Sequence, residues 1–326
     1  MIQNPLKRKI QPTNVNHNDA DPDGEGIVQV STRLLIELHR DAKRLPLKAA
    51  NIKSRQSGQY QSPFKGRGME FDESRLYQPG DDVRALDWRV TARTGQAHTK
   101  LFREERERSV LVWVDYRKSM FFATRGVFKS VVATKAAALI AWSATHHGDR
   151  IGGLIFSENQ HDELRPLRGK KPALHLIQKL SSHSAWDRNI SQYESDSEIP
   201  LQALIRLRRV AKPGSLICLI TDFRNLDSAA ESQLRLLRRH NDVILLQIGD
   251  PLEMELPPPG VYRISDGTSE TQINTFDKKF RDDFIKECSQ HQAYIKKLCQ
   301  RLGIYYLYCS TEDDLTSTLA HGLGLR

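Results

Sequence analysis

From Ser109 onward, apolar β-prone runs alternate with helical stretches, and this alternation limits the possible folds more than any other feature. The first run, Val110–Val114, is apolar throughout, as in a strand buried on both faces of a sheet. Further strands are predicted at 150–156, 216–220, 243–248 and 304–308, and helices at 127–146, 228–239 and 277–302, with a closing helix from Asp313. The pattern predicts an α/β fold with a doubly wound, mostly parallel sheet.

The first 108 residues have a different character. Residues 1–28 are polar and are predicted to form a disordered tail. A helix is predicted over Ser31–Leu45, because Leu34, Leu35 and Leu38 share a face and Pro46 follows. We therefore divide the chain into the tail, a segment at 29–108 with the N-terminal helix and a charge-rich region, and an α/β domain at 109–326.

The charge-rich region, from Arg67 to Arg89, interleaves acids, arginines and aromatic residues without helical or strand periodicity. Such a mixture predicts a small β-rich subdomain of short strands and turns, packed against the later domain, in which each arginine pairs with a carboxylate. The alternative is a solvated charged loop. The residues predicted to carry this region's structure or interactions are Glu70, Arg75, Tyr77, Asp81, Asp82, Arg84, Asp87, Trp88 and Arg93.

This region also carries a family resemblance. Together with Thr91–Arg93, Lys100–Glu105 and the aspartate after an apolar strand at Asp115, it resembles the signature of the domain-of-unknown-function 58 family. Proteins of that family resemble von Willebrand factor A domains and are associated with MoxR-type AAA+ ATPases. The resemblance implies a von Willebrand factor A-like domain and a MoxR-like partner, but the family has no defined reaction to transfer.

Two predicted strands are followed at once by an aspartate, Asp115 and Asp222. In a doubly wound sheet, ligands bind at the carboxyl ends of strands where the strand order reverses. The resemblance implies that a metal-ion-dependent adhesion site lies here, in which an Asp-x-Ser-x-Ser motif, a threonine and a later aspartate hold magnesium for an acidic ligand. Ser119 matches the motif, but Arg117 replaces its middle serine and Ile199–Leu201 offers no threonine.

Arg117 decides what this degenerate site holds. A guanidinium cannot ligate a cation, and it repels one by about 4 kcal/mol at about 4 Å with an effective dielectric of about 20. It can fold inward between Asp115 and Asp222 and supply the missing positive charge, or it can point to solvent beside Lys118. Both alternatives disfavour magnesium, so we predict neither a metal nor another cofactor.

Composition narrows the class of protein. The 326 residues are 39% hydrophobic and 27% charged, and no apolar run reaches the ~18 residues that span a bilayer, so we expect a cytoplasmic protein without a membrane span. The four cysteines are widely spaced and are predicted to be reduced thiols. The net charge of +9 collects at 206–212 and 235–240, where helical spacing predicts solvated basic faces and no motif for specific nucleic-acid recognition.

No phosphate-binding loop, zinc-protease motif or nucleophile elbow is present in the sequence. Our leading hypothesis is a non-catalytic protein-interaction adaptor that works with a MoxR-like AAA+ ATPase on an unknown client protein, in maturation or assembly of protein complexes. Two alternatives stay open. One is a metal-dependent hydrolytic enzyme using Asp115, Asp222 and Asp87, and the other is a non-specific nucleic-acid binder using the basic helices.

Overall fold

Ten strands and eight α-helices are formed by the residues that the computed structural model describes, which are 26–45, 47, 69–104, 107–124, 126–187, 198–224, 226–254, 256–265 and 270–324. The strands are β1 (Met69–Leu76), β2 (His98–Glu104), β3 (Ser109–Asp115), β4 (Arg150–Phe156), β5 (His161–Arg168), β6 (Leu216–Thr221), β7 (Asp242–Gly249), β8 (Val261–Ser265), β9 (Glu270–Asn274) and β10 (Tyr305–Ser310). The helices are α1 (Thr32–Glu37), α2 (Trp88–Thr94), α3 (Lys129–His146), α4 (Lys170–Ser181), α5 (Ile199–Val210), α6 (Ser228–His240), α7 (Lys278–Leu302) and α8 (Leu315–Gly322).

A six-stranded sheet with the order β10-β7-β6-β3-β4-β5 lies at the centre of the fold. Every neighbouring pair is parallel except β4 and β5, which are antiparallel. The predicted α/β class with a mostly parallel sheet is therefore confirmed. The sequence analysis missed β5, an edge strand whose polar residues and Pro166 weaken the strand pattern, as edge positions tolerate.

Helices cover both faces of the sheet. Val110, Val112 and Val114 of β3 face the core under α3, α4 and α8, while Leu111 and Trp113 face the core under α5, α6 and α7. This alternation explains why β3 is apolar at every position from Val110 to Val114, since both of its faces are buried.

The N-terminal segment packs into the core that contains α3. Leu35, Ala42 and Leu45 are buried there, and the Trp142 indole N–H of α3 donates to the Leu35 carbonyl over 3.0 Å. The predicted helix at 31–45 is therefore too long: α1 ends at Glu37 and a 3-10 turn follows at Asp41–Arg44, because the chain bends to bury both Leu35 and Leu45.

The boundary of the predicted tail also needs correction. Residues 1–25 lie outside the described residues, but 26–28 form a turn in which the Ile27 carbonyl accepts the Phe128 backbone N–H.

The charge-rich region forms a separate hairpin module, which we define as β1, β2 and α2 with the turns between them. β1 and β2 pair antiparallel, and the hydrogen bonds of the described side chains at 73–100 stay within the module. Strands and turns were predicted here, whereas α2 was not, because only three of its seven residues are apolar. Packing of this module against the sheet domain stays a prediction.

Elsewhere, the antiparallel hairpin of β8 and β9, together with α4, was also missed by the sequence analysis. None of the helices in the described ranges combines the length and apolar character needed to cross a bilayer.

Candidate functional site

The strand order reverses at β3, and this places Asp115 and Asp222 at the same edge of the sheet. The chain runs from β3 to β4 on one side and later returns to β6 on the other. Asp115 ends β3, and Asp222 directly follows β6. We call this pair and the charged side chains around it the switch-point site, since a crevice at such a reversal is where doubly wound sheets bind ligands.

Arg117 lies inward, in agreement with the first of the two alternatives. Its Nη2 is 2.7 Å from Asp115 Oδ2 and its Nε is 3.1 Å from Asp115 Oδ1, a bidentate contact. The same Nη2 is 4.0 Å from Asp222 Oδ1. Arg117 is only 6% exposed and Asp115 is fully buried, so the guanidinium compensates carboxylates that water does not reach.

Lys129 is a second buried cation at this site, and the sequence analysis missed it. It is fully buried at the first turn of α3, with Nζ 3.2 Å from Asp222 Oδ2 and 2.5 Å from Glu253 Oε1. A signal existed in the sequence: a lysine at the start of a helix opposes the helix dipole, and here it begins a helix in which most residues are apolar. Such a lysine needs a carboxylate partner.

Arg224 extends the charges of the switch-point site to the surface. Its Nη2 is 2.8 Å from Glu253 Oε1 and its Nε is 3.8 Å from Asp222 Oδ2, while its side chain is 53% exposed. Positive and negative groups therefore alternate from Asp115 in the interior through Lys129 and Glu253 to Arg224 at the solvent boundary.

The turn after β6 is held in an uncommon conformation. Phe223 is buried with φ at 57°, in the left-handed region that bulky residues rarely adopt. The conformation directs the Arg224 backbone N–H to Asp222 Oδ1 over 3.1 Å, and the neighbouring Thr221 hydroxyl donates to Asp115 Oδ2 over 2.6 Å. Backbone strain of this kind concentrates at functional sites and is maintained by the surrounding contacts.

Electrostatics keep Asp222 ionised. Burial by itself would raise the pKa of Asp222, but the charges of Lys129 and Arg117 outweigh burial and lower that pKa to about 2. Burial would likewise lower the pKa of Arg117, and the charge and hydrogen bonds of Asp115 reverse the effect and raise it. The buried charges of the site therefore stabilise one another.

The residues at this edge do not fit a magnesium ion. Asp115, Ser119 and Asp222 keep the oxygen atoms of the motif, and the Ser119 hydroxyl is a buried atom that has no hydrogen-bond partner. However, Arg117 and Lys129 already occupy positions beside both aspartates, where a cation would have to lie. Magnesium needs near-octahedral oxygen ligands, and these two side chains supply positive charge instead.

In the hairpin module, one of the three predicted arginine pairs forms. Arg75 Nη2 lies 2.7 Å from Asp81 Oδ1. Asp81 also accepts the Gln78 backbone N–H, which is the main reason that its pKa is lowered, and Arg75 adds to that effect.

Arg84 and Arg89 are exposed and form no ion pair with a described carboxylate, but the side chains of Glu70 and Asp72 lie outside the described residues, so the pairing of these two arginines stays a prediction. Two aspartates that were among the possible partners, Asp82 and Asp87, bond to backbone N–H groups. Asp82 accepts the Arg84 backbone N–H over 2.9 Å, and Asp87 accepts the N–H of Val90 at the start of α2 over 3.2 Å. Short Asp side chains reach local backbone donors more easily than distant guanidinium groups.

The remaining predicted residues of the module are mostly at its surface. Trp88 is 69% exposed, Arg93 is exposed and Tyr77 is half-buried. Glu70 lies in β1, and its side chain falls outside the part of the chain that is described. Asp87 also accepts the Ser74 hydroxyl at 2.7 Å, and no described hydrogen bond or ion pair joins it to Asp115 or Asp222.

Fold and site together define an α/β protein whose switch-point aspartates are compensated by its own arginine and lysine. The family described as "Protein of unknown function DUF58" matches residues 73–294, and the chain belongs to it. The chain is similar to two uncharacterized proteins, Mb1516 of Mycobacterium bovis and Rv1480 of Mycobacterium tuberculosis. Each is 29% identical to it over 258 residues, which are 79% of both chains.

Solved structures with a similar arrangement belong to two other bacteria. One is the conserved hypothetical protein BatB from Bacteroides thetaiotaomicron, with a TM-score of 0.42 and 13% identity over 66% of this chain and 97% of that chain. The other is a von Willebrand factor type A protein from Catenulispora acidiphila, with a TM-score of 0.36 and 13% identity over 70% of this chain and 44% of that chain. The fold class of this chain rests on its own strand order.

Proposed function

We propose that this protein is a non-catalytic interaction adaptor whose switch-point site works without a metal ion. The observation that carries the proposal is the placement of Arg117 and Lys129 against Asp115 and Asp222. Both aspartates have buried positive partners, so neither is available as a general base or a metal ligand without breaking an ion pair. Buried ion pairs of this kind can fix the conformation of the loops at this edge of the sheet and leave charged groups at the surface for a partner to contact.

The proposed partner is a MoxR-like AAA+ ATPase, and the proposed role is maturation or assembly of complexes of an unknown client protein in the cytoplasm. Membership of the family supports the partner through the family's association with such ATPases. Arg224 supports a docking role, because its exposed guanidinium meets solvent at the outer end of the site. A carboxylate on the partner would be attracted to it.

Calorimetry with millimolar magnesium or manganese tests metal independence. The wild-type protein should show no specific binding. Arg117→Ser restores the motif serine, but we expect it to gain little affinity because Lys129 still compensates Asp222. Adding Lys129→Met should move the protein toward metal binding. Stoichiometric magnesium bound by the wild-type protein and lost in Asp222→Ala would contradict the proposal.

Affinity capture from the native host followed by mass spectrometry tests the partner. We expect a MoxR-like ATPase to be enriched, with purified components binding equally well in EDTA. Arg224→Glu should weaken the complex, whereas Lys171→Glu, a matched charge reversal on α4, should not. Absence of the ATPase would contradict the proposed partner. Turnover of a substrate that disappears in folded Asp115→Ala would replace the adaptor with the enzyme hypothesis.

A further inference from the structure

A groove of about 550 Å³ opens between α6 and α7, far from the switch-point site. Its lining consists of Arg235, Leu236, Arg238, Arg239, Arg301 and Leu302. Both helices end here and lead into the parallel strands β7 and β10, so the groove lies at the amino edge of the sheet. A smaller hollow of about 220 Å³ shares Leu236 and Arg239 and extends the groove toward Arg208 at the end of α5.

Two of the groove arginines are held in place by the fold. Arg238 donates to the Gly303 carbonyl over 2.8 Å and to the Asn241 carbonyl over 3.0 Å. Arg301 forms an ion pair with Glu231. These contacts fix the side chains of Arg238 and Arg301 in the groove wall. The ion pair with Arg301 also neutralises the charge of Glu231.

Three further arginines, Arg208, Arg235 and Arg239, are exposed, and none has an ion pair within the described ranges. Cations in the last turn of a helix ordinarily complement its dipole, which amounts to about half a negative charge at the carboxyl end of each helix. The last turn of α6 alone carries Arg238, Arg239 and His240, which exceeds that amount. The groove therefore keeps a net positive field.

The helix dipoles do not account for the leucine side chains in the groove. Leu236 is 43% exposed and lies among the arginines together with Leu302. An exposed leucine inside a cationic groove suits a ligand that carries carboxylates and an apolar side chain together.

We propose that this groove, formed by α6 and α7, binds an acidic peptide segment of a partner protein, with an apolar side chain on Leu236 and carboxylates on Arg235 and Arg239. A protein segment is favoured over single-stranded nucleic acid because no aromatic ring lines the groove to stack a base.

The proposed ligand is a segment of another molecule. This chain's own acidic run at 19–25 joins the fold at Gly26, whose carbonyl accepts Lys135 Nζ on the side of the sheet covered by α3. The groove lies on the opposite side, among α6 and α7. Because the groove also lies at the opposite edge of the sheet from the switch-point site, binding in the groove does not depend on the proposed function.

Fluorescence anisotropy with a short labelled peptide of alternating Glu and Leu tests this proposal. We expect saturable binding that weakens with salt and falls by about tenfold or more in Arg235→Glu/Arg239→Glu. Lys170→Glu/Lys171→Glu makes the same change in net charge on α4 and should leave affinity unchanged. Leu236→Ser should weaken binding without altering charge.

Three results would overturn the proposal. The first is no saturable binding by the wild-type protein at millimolar peptide. The second is an equal loss of affinity in the Lys170/Lys171 control, which would indicate attraction to the whole molecule. The third is tighter binding of an oligothymidine of similar length, lost in the same arginine variant, which would make the groove a nucleic-acid site. All substitutions are at exposed positions, and circular dichroism verifies that each variant is folded.

Discussion

Lys129 is the residue whose removal should cost the fold most at the switch-point site. Lys129→Met keeps the length of the side chain but leaves Asp222 buried with one positive neighbour fewer. Breaking a buried ion pair in this way costs about 3 to 5 kcal/mol, so we expect a loss of that size in urea denaturation. Asp222→Leu added to Lys129→Met should recover part of it, because the buried carboxylate that lost its lysine is then also removed.

Arg224→Met provides the matched control for Lys129. Arg224 contacts the same Asp222 and Glu253, but its side chain is 53% exposed. An exposed pair contributes at most about 1 kcal/mol. Equal losses for the two variants would show that burial does not set the strength of these ion pairs.

The lowered pKa of Asp222 predicts that the folded protein loses stability at acid pH. A carboxyl whose pKa is lower in the folded protein stabilises it above its ordinary pKa, and the contribution disappears as pH falls toward the folded value. For a pKa lowered to about 2, the loss falls between about pH 4 and pH 2 and amounts to about 2 kcal/mol.

The measurement compares wild-type protein with Asp222→Asn, so that other carboxyls cancel. The difference between their free energies of unfolding should shrink by the stated amount across the window. A difference that stays constant with pH would mean that Asp222 titrates normally.

Strand β4 lies close to both of its neighbours at two consecutive glycines, Gly152 and Gly153. A Cβ on Gly152 would lie 2.5 Å from the Leu164 carbonyl oxygen and 2.7 Å from the Pro166 nitrogen, both backbone atoms of β5. Because backbone cannot rotate away, Gly152→Ala should force the strands apart and destabilise the protein by about 1 to 3 kcal/mol or more.

Gly95→Ala gives a comparison in which only conformation changes. Gly95 ends α2 with φ at 73° and has open space around its Cα, so the substitution should cost about 1 kcal/mol. Thermal melting distinguishes the two positions. A wild-type melting temperature for Gly152→Ala would show that β4 and β5 do not need to approach so closely.

For the molecule as a whole, the N-terminal segment belongs to the core of the sheet domain. Leu35 is fully buried against α3 and α4, and we expect Leu35→Ala to reduce the free energy of unfolding by about 2 to 5 kcal/mol. The neighbouring Ile36 is 40% exposed, so Ile36→Ala should cost less than about 1 kcal/mol. Similar small effects for both would mean that this segment only lies on the surface.

Much of the fold was predictable because burial leaves a pattern in the sequence. The apolar runs of β3, β6 and β7 mark strands covered on both faces, and their alternation with helices leads to a parallel sheet. The edge strand β5, the helix α2 and the hairpin of β8 and β9 were missed, because elements that are partly exposed carry weaker periodicity.

The candidate site was half predictable. The strand-end positions of Asp115 and Asp222 follow from the pattern, and topology brings the ends of β3 and β6 together. Whether Arg117 pointed inward was left open, because a loop arginine can satisfy its charge in either direction. In the hairpin module, composition suggested arginine–carboxylate pairs, but the nearest backbone donors took Asp82 and Asp87 instead.

The sequence by itself determined the apolar strands β3, β4, β6, β7 and β10, the helices α3, α6 and α7, and the placement of an aspartate after β3 and after β6, because these depend on local patterns of burial. Only the tertiary structure decided which cations meet those aspartates. Lys129 and Asp222 are 93 residues apart, and their pairing depends on α3 starting beside the carboxyl end of β6. A buried charge pairs with the opposite charge that lies nearest to it in space, and these two residues come close only when the sheet has formed.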